Sequence, residues 1–181
     1  MNKKIKIIAL LCALVLVNGV AFIAFRTAYA PAEPPTVNTQ EGEPYIDFAA
    51  EDAASNPVRL SDFIGKPTIV YFWTTWCGFC TRGMDELQTL QDSLGGQVQI
   101  LAVNLPTMGG MTNEAELGRA YMTEMNFGFP SIYDVYGEAL SAYRITGVPL
   151  ILFIDSDGNI VDRILGFADA NVLAEYVAVL Q

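Results

Sequence analysis

Residues able to do chemistry are few in this chain, and two of them stand together. Trp73 to Cys80 reads W-T-T-W-C-G-F-C, which places Cys77 and Cys80 three positions apart. The 181 residues contain one further cysteine, Cys12, and no histidine. Without histidine there is no Ser-His-Asp triad, no Cys-His protease pair, and no histidine ligand for zinc or haem. Acid–base work falls to carboxylates, thiols, tyrosines, lysines or water. The cysteine pair then has three readings: a redox dithiol, half of a metal site, or a structural staple. Structural zinc commonly takes four cysteine or histidine ligands, and the pair supplies two. A staple acts by closing a loop, and a two-residue gap removes little chain entropy. Redox chemistry needs two sulfurs on one face of a helix, close enough to bond, and a spacing of three provides that.

The flanking elements say where the pair sits. Pro67 to Trp73 (P-T-I-V-Y-F-W) is a continuous apolar, β-branched and aromatic run, the pattern of a strand buried on both faces. Gly78 to Leu94 reads as a helix with Met84, Leu87, Leu90 and Leu94 on one face, stopped by Gly95-Gly96. Cys77 therefore falls where a strand ends and a helix begins. Free backbone N–H groups and the positive end of the helix dipole favour its thiolate, which makes it the attacking sulfur. Cys80, nearly one turn inside, resolves the mixed disulfide.

Further along, Val98 to Asn104 is a second buried strand, followed by a loop from Leu105 to Thr112. Asn113 to Glu116 fits a capping box opening a helix to about Met125. Phe129 to Tyr133 reads as a short strand and Glu138 to Tyr143 as a helix. Leu150 to Ile154 and Asn159 to Leu165 flank the turn Asp155-Ser156-Asp157-Gly158, and Asp169 or Asn171 caps a last helix to about Leu180. Before the first buried strand, Tyr45 to Phe48 and Val58 to Leu60 read as an N-terminal hairpin, with a turn or short helix at Leu60 to Lys66. The expected fold is α/β: a mixed central sheet flanked by helices on both faces.

The N-terminus reads differently. Ile7 to Phe25 is an uncharged run of 19 residues, preceded by Lys3, Lys4 and Lys6 and followed by Arg26. As a helix it reaches about 28 Å, close to the hydrocarbon thickness of a bilayer. The charge bias places the N-terminus in the cytoplasm and the body outside. Ala28-Tyr29-Ala30 resembles a signal-peptide cleavage site, but Pro31 follows it, and a retained anchor is the reading favoured here. Cys12 lies within this run and reads as a small apolar residue. Residues 1–30 are thus expected to be a membrane anchor or signal segment, 31–44 a proline-rich acidic spacer, and 45–181 the folded domain. Beyond Arg26 the chain carries six basic against 20 acidic residues, a net of −14, which argues against nucleic acid as a partner.

W-C-G-F-C after a buried F-W strand, together with Gly147-Val148-Pro149 before Leu150 to Ile154, resembles the thioredoxin superfamily. Leu60 to Pro67, Leu101 to Asn104, Asn126 to Pro130 and Phe153 to Gly158 are similar to its TlpA/ResA-like branch of membrane-anchored, extracytoplasmic thiol-disulfide oxidoreductases. The resemblance covers residues 43 to 181. It implies a thioredoxin-like fold, with Cys77 as nucleophile, Cys80 as resolving thiol, and a cis Pro149 opposite them. It implies substrate contacts at Trp76, Gly78, Phe79, Val148 and Pro149. It implies disulfide-bearing exported proteins as substrates and a membrane electron donor of the CcdA or DsbD type, with no metal and no cofactor. Reduction is the expected direction, since no histidine lies between the cysteines. The alternatives are an oxidase or isomerase, or a non-catalytic metal-binding or chaperone module.

The chain departs from the family pattern at telling places. Tyr71 stands where thioredoxins carry a buried aspartate. Gly83 and Asp85 stand where the branch often has glutamate and proline, and Phe79 replaces its usual proline. The acceptor of the Cys80 proton is therefore open between Asp85, Glu86, Tyr71 and water. Met108 and Met111 could form a soft-metal pair, though a mobile glycine-rich loop is the simpler reading.

Overall fold

The computed structural model describes residues 42–180. The expected anchor, Cys12 and most of the spacer lie outside this range. Among the described residues no helix is long and apolar enough to cross a membrane.

Among the described residues seven strands form one mixed sheet: β1 (Ala49–Glu51), β2 (Pro57–Arg59), β3 (Thr68–Trp73), β4 (Gln99–Asn104), β5 (Ser131–Tyr133), β6 (Leu150–Ile154) and β7 (Ile160–Leu165). Their order is β2-β1-β5-β4-β3-β6-β7. The parallel pairs β3–β4 and β4–β5 form the centre, and β6 runs antiparallel to β3. The helices are α1 (Gly78–Leu94), α2 (Glu114–Met125), α3 (Glu138–Ala142) and α4 (Ala170–Val177), with a 3-10 turn at Leu60–Phe63.

Every residue of β3 is buried, because alternate side chains feed two cores. Ile69, Tyr71 and Trp73 join Met84, Leu87 and Leu90 of α1 and Leu173 and Val177 of α4 on one face. Val70 and Phe72 join Phe48, Leu60, Leu152 and Tyr143 on the other. That two-sided demand is why the sequence run is apolar without alternation.

The N-terminal strands fall at Ala49–Glu51 and Pro57–Arg59, later than the expected Tyr45 to Phe48 and earlier than Val58 to Leu60. The reason is a side chain. The Tyr143 hydroxyl accepts from Ile46 N at 2.9 Å and donates to Ile46 O at 2.8 Å, so this backbone is satisfied without a strand partner. Phe48 is consumed by the core, edge-on to the Tyr143 ring at 6.2 Å between centroids. The strand expected from Phe129 begins at Ser131, since Phe129 instead packs into the first core. The last helix ends at Val177, short of Leu180, and Asp169 is its cap, accepting from the N–H groups of Asn171 and Val172.

Candidate active site

β3 ends at Trp73, three residues intervene, and Cys77 caps the N-terminus of α1 in an extended conformation. Cys77 and Cys80 are joined as a disulfide, with Cα atoms 5.2 Å apart. Cys80 N donates to Cys77 Sγ at 3.2 Å, an N-cap bond made by sulfur. The same N–H would favour a Cys77 thiolate in the reduced form. Cys77 keeps 8% of its surface accessible while Cys80 has none. An incoming sulfur can therefore reach the outer member of the pair and not the inner one.

The Val148–Pro149 peptide bond is cis. Val148 O lies 3.6 Å from Cys77 Sγ, so the loop before β6 meets the cysteine directly. It is tied down on its other side by Gly166 N, which donates to Pro149 O at 2.8 Å. Trp76, Gly78 and Phe79 are exposed around the cysteine, Val148 is half-buried and Pro149 buried. The structure thus brings all seven predicted residues to one end of the sheet. It also explains Phe79: the Arg82 guanidinium lies 5.2 Å from its ring centroid and 4.1 Å from that of Phe167, forming a stacked rim beside the pair.

Sequence reasoning missed Glu114. The expected capping box does not form, because Asn113 makes no side-chain cap bond. Glu114 instead turns inward and is fully buried. Its carboxylate accepts from Thr75 N at 2.5 Å, Thr75 Oγ1 at 2.6 Å and Asn104 Nδ2 at 3.0 Å. It fastens the segment just before Cys77 to the end of β4. Gly118, one turn along α2, leaves the room for Asn104: a Cβ there would sit 3.0 Å from its amide. No local pattern marks Glu114, since the partner it meets is 39 residues away.

The four candidates for the Cys80 proton separate. Asp85 is exposed to solvent. Glu86 is engaged elsewhere, accepting from Ala170 N at 2.9 Å and so supporting the start of α4. Tyr71 is buried and donates its hydroxyl to Cys80 O at 3.0 Å. Burial, with Tyr121 adding to it, pushes the Tyr71 phenol well above its usual range, so it stays protonated near neutral pH. Met108 packs against the second core while Met111 is exposed, so the two are not presented alike. Gly109 between them packs toward the Trp76 indole, where a Cβ would meet ring atoms at 3.0 Å.

Comparison with known proteins agrees with this geometry. Residues 42–163 match the model of the AhpC/TSA family. The thiol-disulfide oxidoreductase ResA of Bacillus subtilis is 24% identical over 170 residues, covering 93% of this chain and 89% of ResA. ResA of Geobacillus kaustophilus is 34% identical over 123 residues, 66% of each chain. The crystal structure of the exposed lipoprotein thioredoxin Etrx1 from Streptococcus pneumoniae superposes with a TM-score of 0.64 at 25% identity, over 75% of this chain and all of that one. The family model spans well over half of the sequence and includes both cysteines, and on that ground the chain belongs to the AhpC/TSA family; with the Cys77–Cys80 pair and the similarity to ResA it is a thioredoxin-like thiol-disulfide oxidoreductase.

Proposed function

We propose that this protein reduces disulfides of exported proteins on the outer side of the cell membrane, tethered there by Ile7 to Phe25. The observation that carries the reading is the unequal exposure of the pair: 8% for Cys77 and none for Cys80. In the dithiol form, the Cys77 thiolate attacks one sulfur of a substrate disulfide. That bond breaks, and the released substrate sulfur takes the electron pair and a proton. Cys80 then gives up its proton, its sulfur bonds to Cys77, and the second substrate thiol leaves with an electron pair and a proton. The product is the Cys77–Cys80 disulfide seen here.

The exposed Trp76, Gly78 and Phe79 surround the attacking sulfur, and the backbone of Val148 and Pro149 supports docking of an extended substrate segment. Two electrons and two protons from a membrane donor of the CcdA or DsbD type would restore the dithiol. The absence of histidine between the cysteines supports the reductive direction.

A Cys80→Ser variant of the full chain tests both chemistry and place. It is expected to accumulate mixed disulfides through Cys77, in the membrane fraction and open to protease added outside the cells. No trapped species, together with no disulfide reduction by the wild-type protein, would sink the reading. The wild-type potential decides direction: a value near about −270 mV supports a reductase, and one near about −120 mV makes it an oxidase.

A further inference from the structure

The space beneath Cys80 is filled in an uncommon way. Gly83 lies three residues after Cys80, on the same side of α1. A Cβ at Gly83 would collide with the Tyr71 hydroxyl, and even the next ring atom, Cζ, would stand at only 3.0 Å. The phenol of β3 thus occupies the volume that any side chain at position 83 would need. From there it donates to Cys80 O at 3.0 Å. On its other side, the Cys80 N–H is shared between Cys77 O at 2.9 Å and Cys77 Sγ at 3.2 Å. Both peptide groups flanking the Cys80 side chain are therefore engaged, one by Cys77 and one by the Tyr71 hydroxyl.

We propose that Tyr71 is a positioning residue for the resolving step: seated in the space left by Gly83, its hydroxyl fixes the Cys80 backbone and thereby the line along which the Cys80 sulfur approaches Cys77. The proposal rests on the oxidoreductase reading and deepens it. Tyr71 is a donor to a carbonyl and stays protonated, so it does not take the thiol proton. The other titratable groups around it are Cys80 on α1 and Tyr121 on α2, with Asp85 and Glu124 acting on Tyr121. In the balanced step, the Cys80 thiol loses its proton to solvent and the departing substrate sulfur gains one. The pH dependence of resolution then follows Cys80 itself.

The two steps can be timed separately with 5,5′-dithiobis(2-nitrobenzoate) and the reduced full chain carrying Cys12→Ser. One coloured thiolate leaves as Cys77 attacks, and a second leaves as Cys80 resolves. Tyr71→Phe is expected to slow the second release about fivefold, the worth of one hydrogen bond, while the first changes less than about twofold. The pH midpoint of the second release is expected to stay where it is in the wild type. Gly83→Ala should slow the second release when Tyr71 is present and have less effect in the Tyr71→Phe background, where the hydroxyl is gone and only the ring Cζ, at 3.0 Å, is left to give way. Equal slowing of both releases, no slowing of the second, or a displaced midpoint in Tyr71→Phe would each overturn the proposal. So would an equally slow Gly83→Ala in the Tyr71→Phe background. If the wild-type protein gives no first release at all, it is the oxidoreductase reading that fails instead.

Discussion

Phe79 shows how much one residue between two cysteines can do. Proline there would stiffen the first turn of the helix, whereas Phe79 leaves 60% of its surface in water and stacks with Arg82. An exposed aromatic ring held by an arginine, with Trp76 at 48% exposure nearby, has the composition of a binding hot spot. Because the contact is at the surface, its worth to folding is small, about 0.5–1 kcal/mol. Phe79→Ala is therefore expected to leave the urea midpoint almost unchanged and to raise KM for a peptide disulfide several-fold at similar kcat. A fall in kcat with KM unaltered would show that the ring acts on the sulfur chemistry and not on the partner.

At the scale of elements, the site is a junction of four pieces: the end of β3, the start of α1, the loop before β6, and the first turn of α2. The last of these enters through Glu114. A buried carboxylate with three hydrogen-bond donors around it is satisfied as it stands, and removing it strands Asn104 Nδ2 in the interior and takes the acceptor from the half-buried Thr75 N and Thr75 Oγ1. Glu114→Ala is expected to cost roughly 2–4 kcal/mol in chemical denaturation. Thr75→Val, which removes one of these donors and keeps the backbone bond, should cost about 1 kcal/mol. Both should lower the rate of Cys77 alkylation at fixed pH, because the segment that leads into the helix cap is loosened. Denaturation midpoints equal to wild type in Glu114→Ala would show that the carboxylate carries no such load.

Across the whole molecule, carboxylates pull stability in opposite directions as pH changes. Burial holds the Asp134 carboxyl above its ordinary value, and the N–H groups of Leu140, Ala139 and Glu138 offset only part of that. Its contribution is fully present below pH about 4 and is lost as pH rises through the raised value. Asp47 and Asp155 behave the other way. Burial pushes each up, but hydrogen bonds outweigh it, from Arg59 and Ser61 for Asp47 and from Asn159, Asp157 and Gly158 for Asp155. Their contributions are present above pH about 4 and are lost as pH falls through the lowered values. Asp134→Asn is expected to resemble wild type in urea at pH about 4 and to gain on it as pH rises through the raised value, levelling off above it, since the amide cannot ionise. A constant difference across that range would show that Asp134 does not titrate differently on folding.

Local sequence was enough to reveal the chemistry. Two cysteines at a strand–helix junction, glycine-valine-proline before a later strand, and a strand buried on both faces are short-range patterns, because periodicity and cap chemistry act within a few residues. Those patterns established the central strands, the cysteine pair, and the loop that meets it. What they could not reveal were contacts closed by distant parts of the chain. The Tyr143 hydroxyl satisfies the Ile46 backbone from 97 positions away, which moved the first strand. Glu114 passes from the reach of a local cap to a tie on Thr75, 39 positions back. Tyr71 and Gly83 each depart from the family pattern and look unrelated in sequence, until packing puts the hydroxyl of one into the space the other leaves open. Local pattern was enough to single out the two sulfurs that pair. How they are held came only from packing, because close packing allows one group in each volume, and only the folded chain shows which group takes it.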